Sequence, residues 1–245
     1  TFSYCSASGG PGGAIFVENI ESRDHADLRL QNCLFYGCSS VSSGGAVWVG
    51  GSNLEDSGSS YAENHATLDG GAIAGHFTAA ETIMRRDITL GGVSFKENTA
   101  GFGGAVLLSG YAVSVKNSTL AKNLAHSYGG AAVLNDCQSV FNDVIFVGNK
   151  AGFDSFGGAL YINGDDGVST ANITNTNFIN NECDASGGAV AFETASVVLE
   201  AVGFVHNYCG SSGGGFVALR SDVTGTGVLF TSNTASAVGG GYYCV

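Results

Sequence analysis

Charge is scarce in this chain of 245 residues: 12% of positions are charged, with nine basic against 21 acidic side chains and a formal net charge of −12. That balance excludes a nucleic-acid groove or an anionic membrane surface as partner, since both reward clustered Lys and Arg. There is one proline and one tryptophan, and no apolar run approaches the roughly 18 residues that a membrane span needs. Direct membrane insertion is not expected. The seven cysteines include no C-x-x-C pair, and the histidines, His25, His65, His76, His126 and His206, never fall at ligand spacing. A metal site of structural type is therefore not expected, nor any cofactor. Nucleophile elbows, phosphate loops and dinucleotide fingerprints are absent as well.

Glycine is abundant instead, with 39 residues placed at regular offsets beside aliphatics. A Gly-Gly-(Ala/Gly) triplet recurs nine times, its second glycine at Gly13, Gly45, Gly71, Gly104, Gly130, Gly158, Gly188, Gly214 and Gly240, spaced 26 to 33 residues apart. Such a period is the mark of a solenoid, whose repeats bury their apolar faces only against their neighbours. Before each triplet stands an aromatic or Leu followed three residues later by Asn or Cys, as in Phe95/Asn98, Phe178/Asn181 and Phe35/Cys38. Apolar residues at two and four positions after the marker glycine, such as Val47 and Val49, predict a short strand. Those seven, five and two before the aromatic, such as Leu28, Leu30 and Cys33, predict two more strands around a corner marked by Asn32, Gly92, Asn117, Asn175 or Gly227. The expected fold is all-β: a right-handed, single-stranded parallel β-helix of about nine coils with three short strands per coil. Aromatics should stack inside and Asn amides should bond up a ladder at the turn. Residues 1–245 read as one β-helix domain, and as a segment of a longer chain, because the sequence opens and closes within a repeat.

The pairing of Gly-Gly-Ala-(Ile/Val/Leu) with Phe-x-x-Asn, as in Phe95-Lys96-Glu97-Asn98 with Gly103-Gly104-Ala105-Val106, resembles the repeat of the chlamydial polymorphic outer membrane proteins. The resemblance spans essentially the whole chain. It implies a surface-exposed, non-catalytic passenger involved in adhesion, of a kind also found in large cell-surface proteins of other bacteria and of protists.

Several residues are candidates for specific roles. Cys183 and Cys209 share a phase one coil apart, as do Cys5 and Cys38, so two rung-to-rung disulfides are expected, with buried thiols as the alternative. Cys33 reads as a core thiol, and Cys137 and Cys244 as unpaired ones. The position three after the marker glycine should face outward. Its members Phe16, Trp48, Leu107, Val133, Tyr161, Val217 and Tyr243 would form an apolar interaction face, buried against another subunit or domain or covered by the chain's own loops. Segments between the glycine strand and the next strand read as insertions and as a candidate binding surface: Glu18 to Asp27, Gly50 to Ser60, His76 to Asp87 and Asn163 to Thr170. Asn117 and Asn172 open N-glycosylation sequons. Asp165-Asp166 offers calcium binding or paired carboxylates, for which a solvated acidic turn is the better explanation, and Arg85-Arg86-Asp87 is the best local cluster for an enzyme, which a solvated loop explains as well.

The expected function is a non-enzymatic extracellular rod, structural or adhesive, built into a cell-surface assembly or filament by self-association or by contact with neighbouring subunits. The alternative is an adhesin that binds a cell-surface receptor or glycan through its loops. A polysaccharide lyase or glycosidase is the less favoured third reading, because it needs carboxylates gathered over successive coils.

Overall fold

The protein, described by a computed structural model over residues 1–19, 27–77, 86–164 and 169–245, is a parallel β-helix. Three sheets hold nine strands each and a fourth holds eight, and every strand pairs in parallel with its equivalent one coil away. No helix among the described residues is long and apolar enough to cross a membrane.

One coil illustrates the rest. Ser94–Lys96 lies in sheet 1, Thr99–Ala100 in sheet 2, Val106–Ser109 in sheet 3 and Ala112–Lys116 in sheet 4. The coil thus carries four strands where the apolar pattern predicts three. The extra one is the two-residue strand after the Asn slot, too short to show any periodicity. Likewise, Gly50 to Ser60 is no insertion: Asn53–Ser57 is a sheet 4 strand paired with Asp27–Gln31. Asp56, an inward-facing carboxylate, had broken the apolar alternation there. The other three insertions fall largely outside the described residues, together with His25, Arg85, Asp165 and Asp166.

Sheet 1 is held by its aromatic column. Phe2, Phe35, Tyr61 and Phe95 stack with centroids 4.6 to 5.0 Å apart, and Phe146, Phe178, Phe204 and Phe230 do so at 4.8 to 5.2 Å. Leu120 separates the two stacks. Each coil step, about 4.8 Å, matches the separation at which aromatic faces pack in parallel, so the column sets no strain against the sheet.

At the adjoining turn the amides form a continuous ladder. Asn123 is typical: its Nδ2 donates to Phe95 O in the coil before and to Asn149 Oδ1 in the coil after, while its own Oδ1 accepts from Asn98 N and Nδ2. The residue before each slot is left-handed in all nine coils, including Glu63, Glu97, Lys122 and His206. Those residues strain to take the corner, costing about 1 kcal/mol or more each, and the amide bonds next to them offset that cost.

The glycine pair makes the next corner. Gly129 takes φ of 61°. At its neighbour Gly130, an added Cβ would stand 2.0 Å from Gly158 O. Only a bare backbone lets adjacent coils approach there.

No disulfide links any of the seven cysteines. The phase assignments hold, because Cys183 lies opposite Cys209 and Ser39 N, next to Cys38, bonds Cys5 O. The bonds expected between them do not form. In-register parallel neighbours point their Cβ atoms the same way at about the 4.8 Å strand spacing, beyond the roughly 3.8 Å that a disulfide prefers. Cys183 and Cys209 instead pack with Ala151 as a small apolar cluster. Cys38 imitates the Asn that it replaces, its thiol reaching Phe2 O at 3.8 Å. Cys33 packs against the core, and Cys137 is buried, its thiol bonding Asn135 O.

Candidate functional site

The outer face of sheet 3 is where the chain departs from its own repetition. Val47 and Val49 point inward as the phase predicts and are fully buried, leaving Trp48 between them facing out. In register with Trp48, coil by coil, stand Ala74, Leu107, Val133, Tyr161, Ala191 and Val217. This column is the expected apolar face, and the structure divides it. Val133, Tyr161, Ala191 and Val217 are buried within the chain, packed with Tyr128, Phe156 and Leu219. Trp48 and Leu107 are half-buried, and Phe16 and Tyr243, at the two ends, are 50% and 37% exposed. Cover by the chain itself therefore takes the C-terminal half of the column.

The covering aromatics come from a second column, the residue directly before the glycine pair. Phe102, Tyr128 and Phe156 follow one another at 5.8 Å between ring centroids, and Tyr128 also meets Tyr161 at 5.1 Å. They make a ridge along one side of the face. Along the other side runs a polar row, the last residue of each sheet 3 strand: His76, Ser109, Asn135 and Asn163, in register. Between ridge and row lies a groove of about 650 Å³ that spans the coils from Trp48 to Tyr161. It is open where Ala74, in the outward column, leaves the face low. Gly75 beside it faces the core, where an added Cβ would stand 2.6 Å from Val49 O and 3.3 Å from the Tyr111 ring. Tyr111 is fixed in turn by donating to Val49 O at 2.7 Å.

Polar groups in the groove are unevenly satisfied. Asp69 Oδ2 accepts from Ser43 Oγ at 3.0 Å, and Asn135 Nδ2 reaches Ser109 Oγ at 3.5 Å. The Tyr161 hydroxyl donates to Glu193 Oε2 at 2.6 Å, and Arg220 holds the other carboxylate oxygen, which closes the C-terminal end of the row. Two buried polar atoms of the groove lining have no partner among the described residues, the Trp48 indole N–H and Asn163 Oδ1. Asn163 is only 7% exposed. An unpaired polar atom so placed costs about 1 to 3 kcal/mol, unlike the fully bonded amides of the inner ladder.

Comparison of the chain with family models, with curated proteins and with solved structures finds no match. Its chemistry is thus read from its own residues. The groove lining includes no Lys or Arg, and among the described residues no group of three His, Cys, Asp or Glu side chains is placed to hold a metal ion. Arg86 and Asp87 lie outside the groove, Arg86 with its guanidinium 5.7 Å from the Phe77 ring centre.

Of the other sequence candidates, Asn117 and Asn172 are both exposed, Asn117 at a left-handed corner and Asn172 on the outer face of sheet 4. The ridge and the polar row were absent from the sequence reading. Their signal is present nevertheless: an aromatic stands immediately before the glycine pair in three successive repeats, Phe102-Gly103, Tyr128-Gly129 and Phe156-Gly157.

Proposed function

We propose that this chain is a non-enzymatic extracellular β-helical rod of the adhesive kind, and that the groove on sheet 3 is its binding surface. The observation that carries the reading is the contrast between this groove and the rest of the rod, since among the described residues an aromatic ridge, a polar row and an unpaired buried acceptor converge here alone. A lyase or glycosidase would gather carboxylates, or calcium and a basic residue, over adjacent coils. The groove offers a single carboxylate, Asp69, beside His76 and neutral amides and hydroxyls, which suits binding without turnover. Assembly into a filament through the apolar column is less favoured, because intrachain cover removes half of that face from contact.

The test is adhesion by the purified protein. Beads coated with it are counted on epithelial cell monolayers and on mucin-coated plates, beside beads carrying Ser109→Trp, which fills the groove from an outward position. Retention of the parent beads and loss with Ser109→Trp, at unchanged circular dichroism, is expected. Equal retention of both would remove the groove from the function, and no retention of either would remove adhesion.

A further inference from the structure

The groove's lining also says what kind of ligand it suits. We infer that it binds a linear, uncharged glycan laid along the rod axis, an inference that rests on the groove being the binding surface. Three observations converge on it. First, a pyranose ring presents C–H faces above and below and hydroxyls around its rim. A groove matched to it needs an aromatic wall for the faces and neutral hydrogen-bonding groups for the rim. Tyr128 and Phe102 supply the wall, and Ser109, Asn135 and Asn163 supply the row opposite.

Second, both components repeat with the coil, at about 4.8 Å per step, from Ser109 to Asn135 to Asn163. A repeating row of equivalent amides and hydroxyls fits a ligand that is itself a repeating chain, and fits poorly one compact small molecule. Third, Asn163 Oδ1 is buried in the lining as an acceptor without a donor among the described residues. A sugar hydroxyl donates such a bond. The Trp48 N–H is the complementary vacancy, a donor at the other end of the lining that a ring or hydroxyl oxygen satisfies.

Charge selects within the glycans. The lining holds Asp69 and His76 and no Lys or Arg, on a chain of net charge −12. Uronate, sulfate or sialate groups would enter with no Lys or Arg to meet them and against the overall field. Neutral hexose, pentose or N-acetylhexosamine chains do not meet that penalty.

Trp48 is the sole tryptophan and gives the readout directly. Its fluorescence is followed on titration with cellohexaose, xylohexaose, mannohexaose and chitohexaose, with oligogalacturonate and a heparin hexasaccharide as the anionic arm, and calorimetry in parallel. At least one neutral hexasaccharide is expected to bind and to shift the emission, with the anionic pair at least tenfold weaker. Asn163→Ala should weaken the neutral ligand by about tenfold, while Asn172→Ala, on sheet 4, should leave it unchanged. Failure of all four neutral chains in both readouts overturns the inference, as does tighter binding of either anionic one, or binding indifferent to Asn163→Ala and Ser109→Trp. If adhesion is lost in Ser109→Trp and yet no neutral glycan binds, the glycan falls and the adhesive groove stands. If adhesion ignores Ser109→Trp, the reading of function falls instead.

Discussion

Two parts of the same coil obey opposite rules. At the corner between sheets 1 and 2, seven coils from Asn64 to Asn233 repeat one residue, and each amide but the last bonds the coils before and after it. On the outer face of sheet 3 the equivalent positions differ from coil to coil, and polar atoms are left unpaired. The first pattern is what a stack of identical neighbours selects, because a residue that satisfies its copy above also satisfies its copy below. The second is not explained by stacking. Where a solenoid breaks its own repetition, some demand other than closing the coil sets the residue.

Substitutions in matched pairs sharpen this contrast. The largest effect is expected at the glycine corner. Gly130→Ala drives a Cβ to 2.0 Å from the next coil's carbonyl and should abolish cooperative folding, whereas Gly148→Ala, left-handed but with nothing closer than 3.7 Å, should cost about 1 to 2 kcal/mol. Urea denaturation followed by circular dichroism measures both. Equal losses would mean that close approach of the coils is not what the marker glycine serves.

Next comes the ladder. Asn123→Ala removes four bonds to the coils on either side and leaves Asn98 N without an acceptor and Asn98 Nδ2 with Tyr61 O alone, at a cost of about 3 kcal/mol. Asn135→Ala, in the outer row, should change stability by less than about 0.5 kcal/mol. Were the outer substitution the costlier, the row would belong to the architecture and the groove would lose its polar wall.

A smaller effect concerns Asp56, whose carboxyl is pushed above its ordinary range by burial in the core, partly countered by hydrogen bonds from Ser59 and from Tyr61. The folded state then binds a proton that the unfolded state has released. Stability should therefore rise as pH falls from neutrality through the raised value toward the ordinary one, and fall again as pH rises. Asp56→Asn, which keeps an acceptor for the Tyr61 hydroxyl, should flatten that segment of the profile and raise stability at neutral pH. A profile as steep in the variant as in the parent would assign the effect to another group.

The smallest effect is expected from reductant. Alkylation in denaturant without prior reduction should modify seven thiols, and the unfolding midpoint should be the same with and without dithiothreitol. In the native state Cys244, exposed at the last coil, should react, while Cys183 and Cys209, whose burial holds their thiols protonated, should not. Mass spectrometry that found fewer than seven modifiable thiols would restore a cross-link between coils.

Phase in the amino-acid sequence was enough to read the β-helix, its aromatic stack, its Asn ladder and the inward and outward assignment of Val47, Trp48 and Val49. Each depends only on a residue meeting its own copy one coil away, and that relation is written in the repeat. The two-residue strands were not legible, being shorter than any period, and Asp56 hid a strand by facing inward with a charge. The cysteine columns were legible too, yet the bond between them was not, because it depends on Cβ separation and direction and not on register. Least legible was the groove. Phe102, Tyr128 and Phe156 lie at one phase and Ser109, Asn135 and Asn163 at another, and only the closed coil sets the two columns on opposite sides of Leu107 and Val133. That juxtaposition is decided by where the chain turns, a property of the whole coil that no single column records.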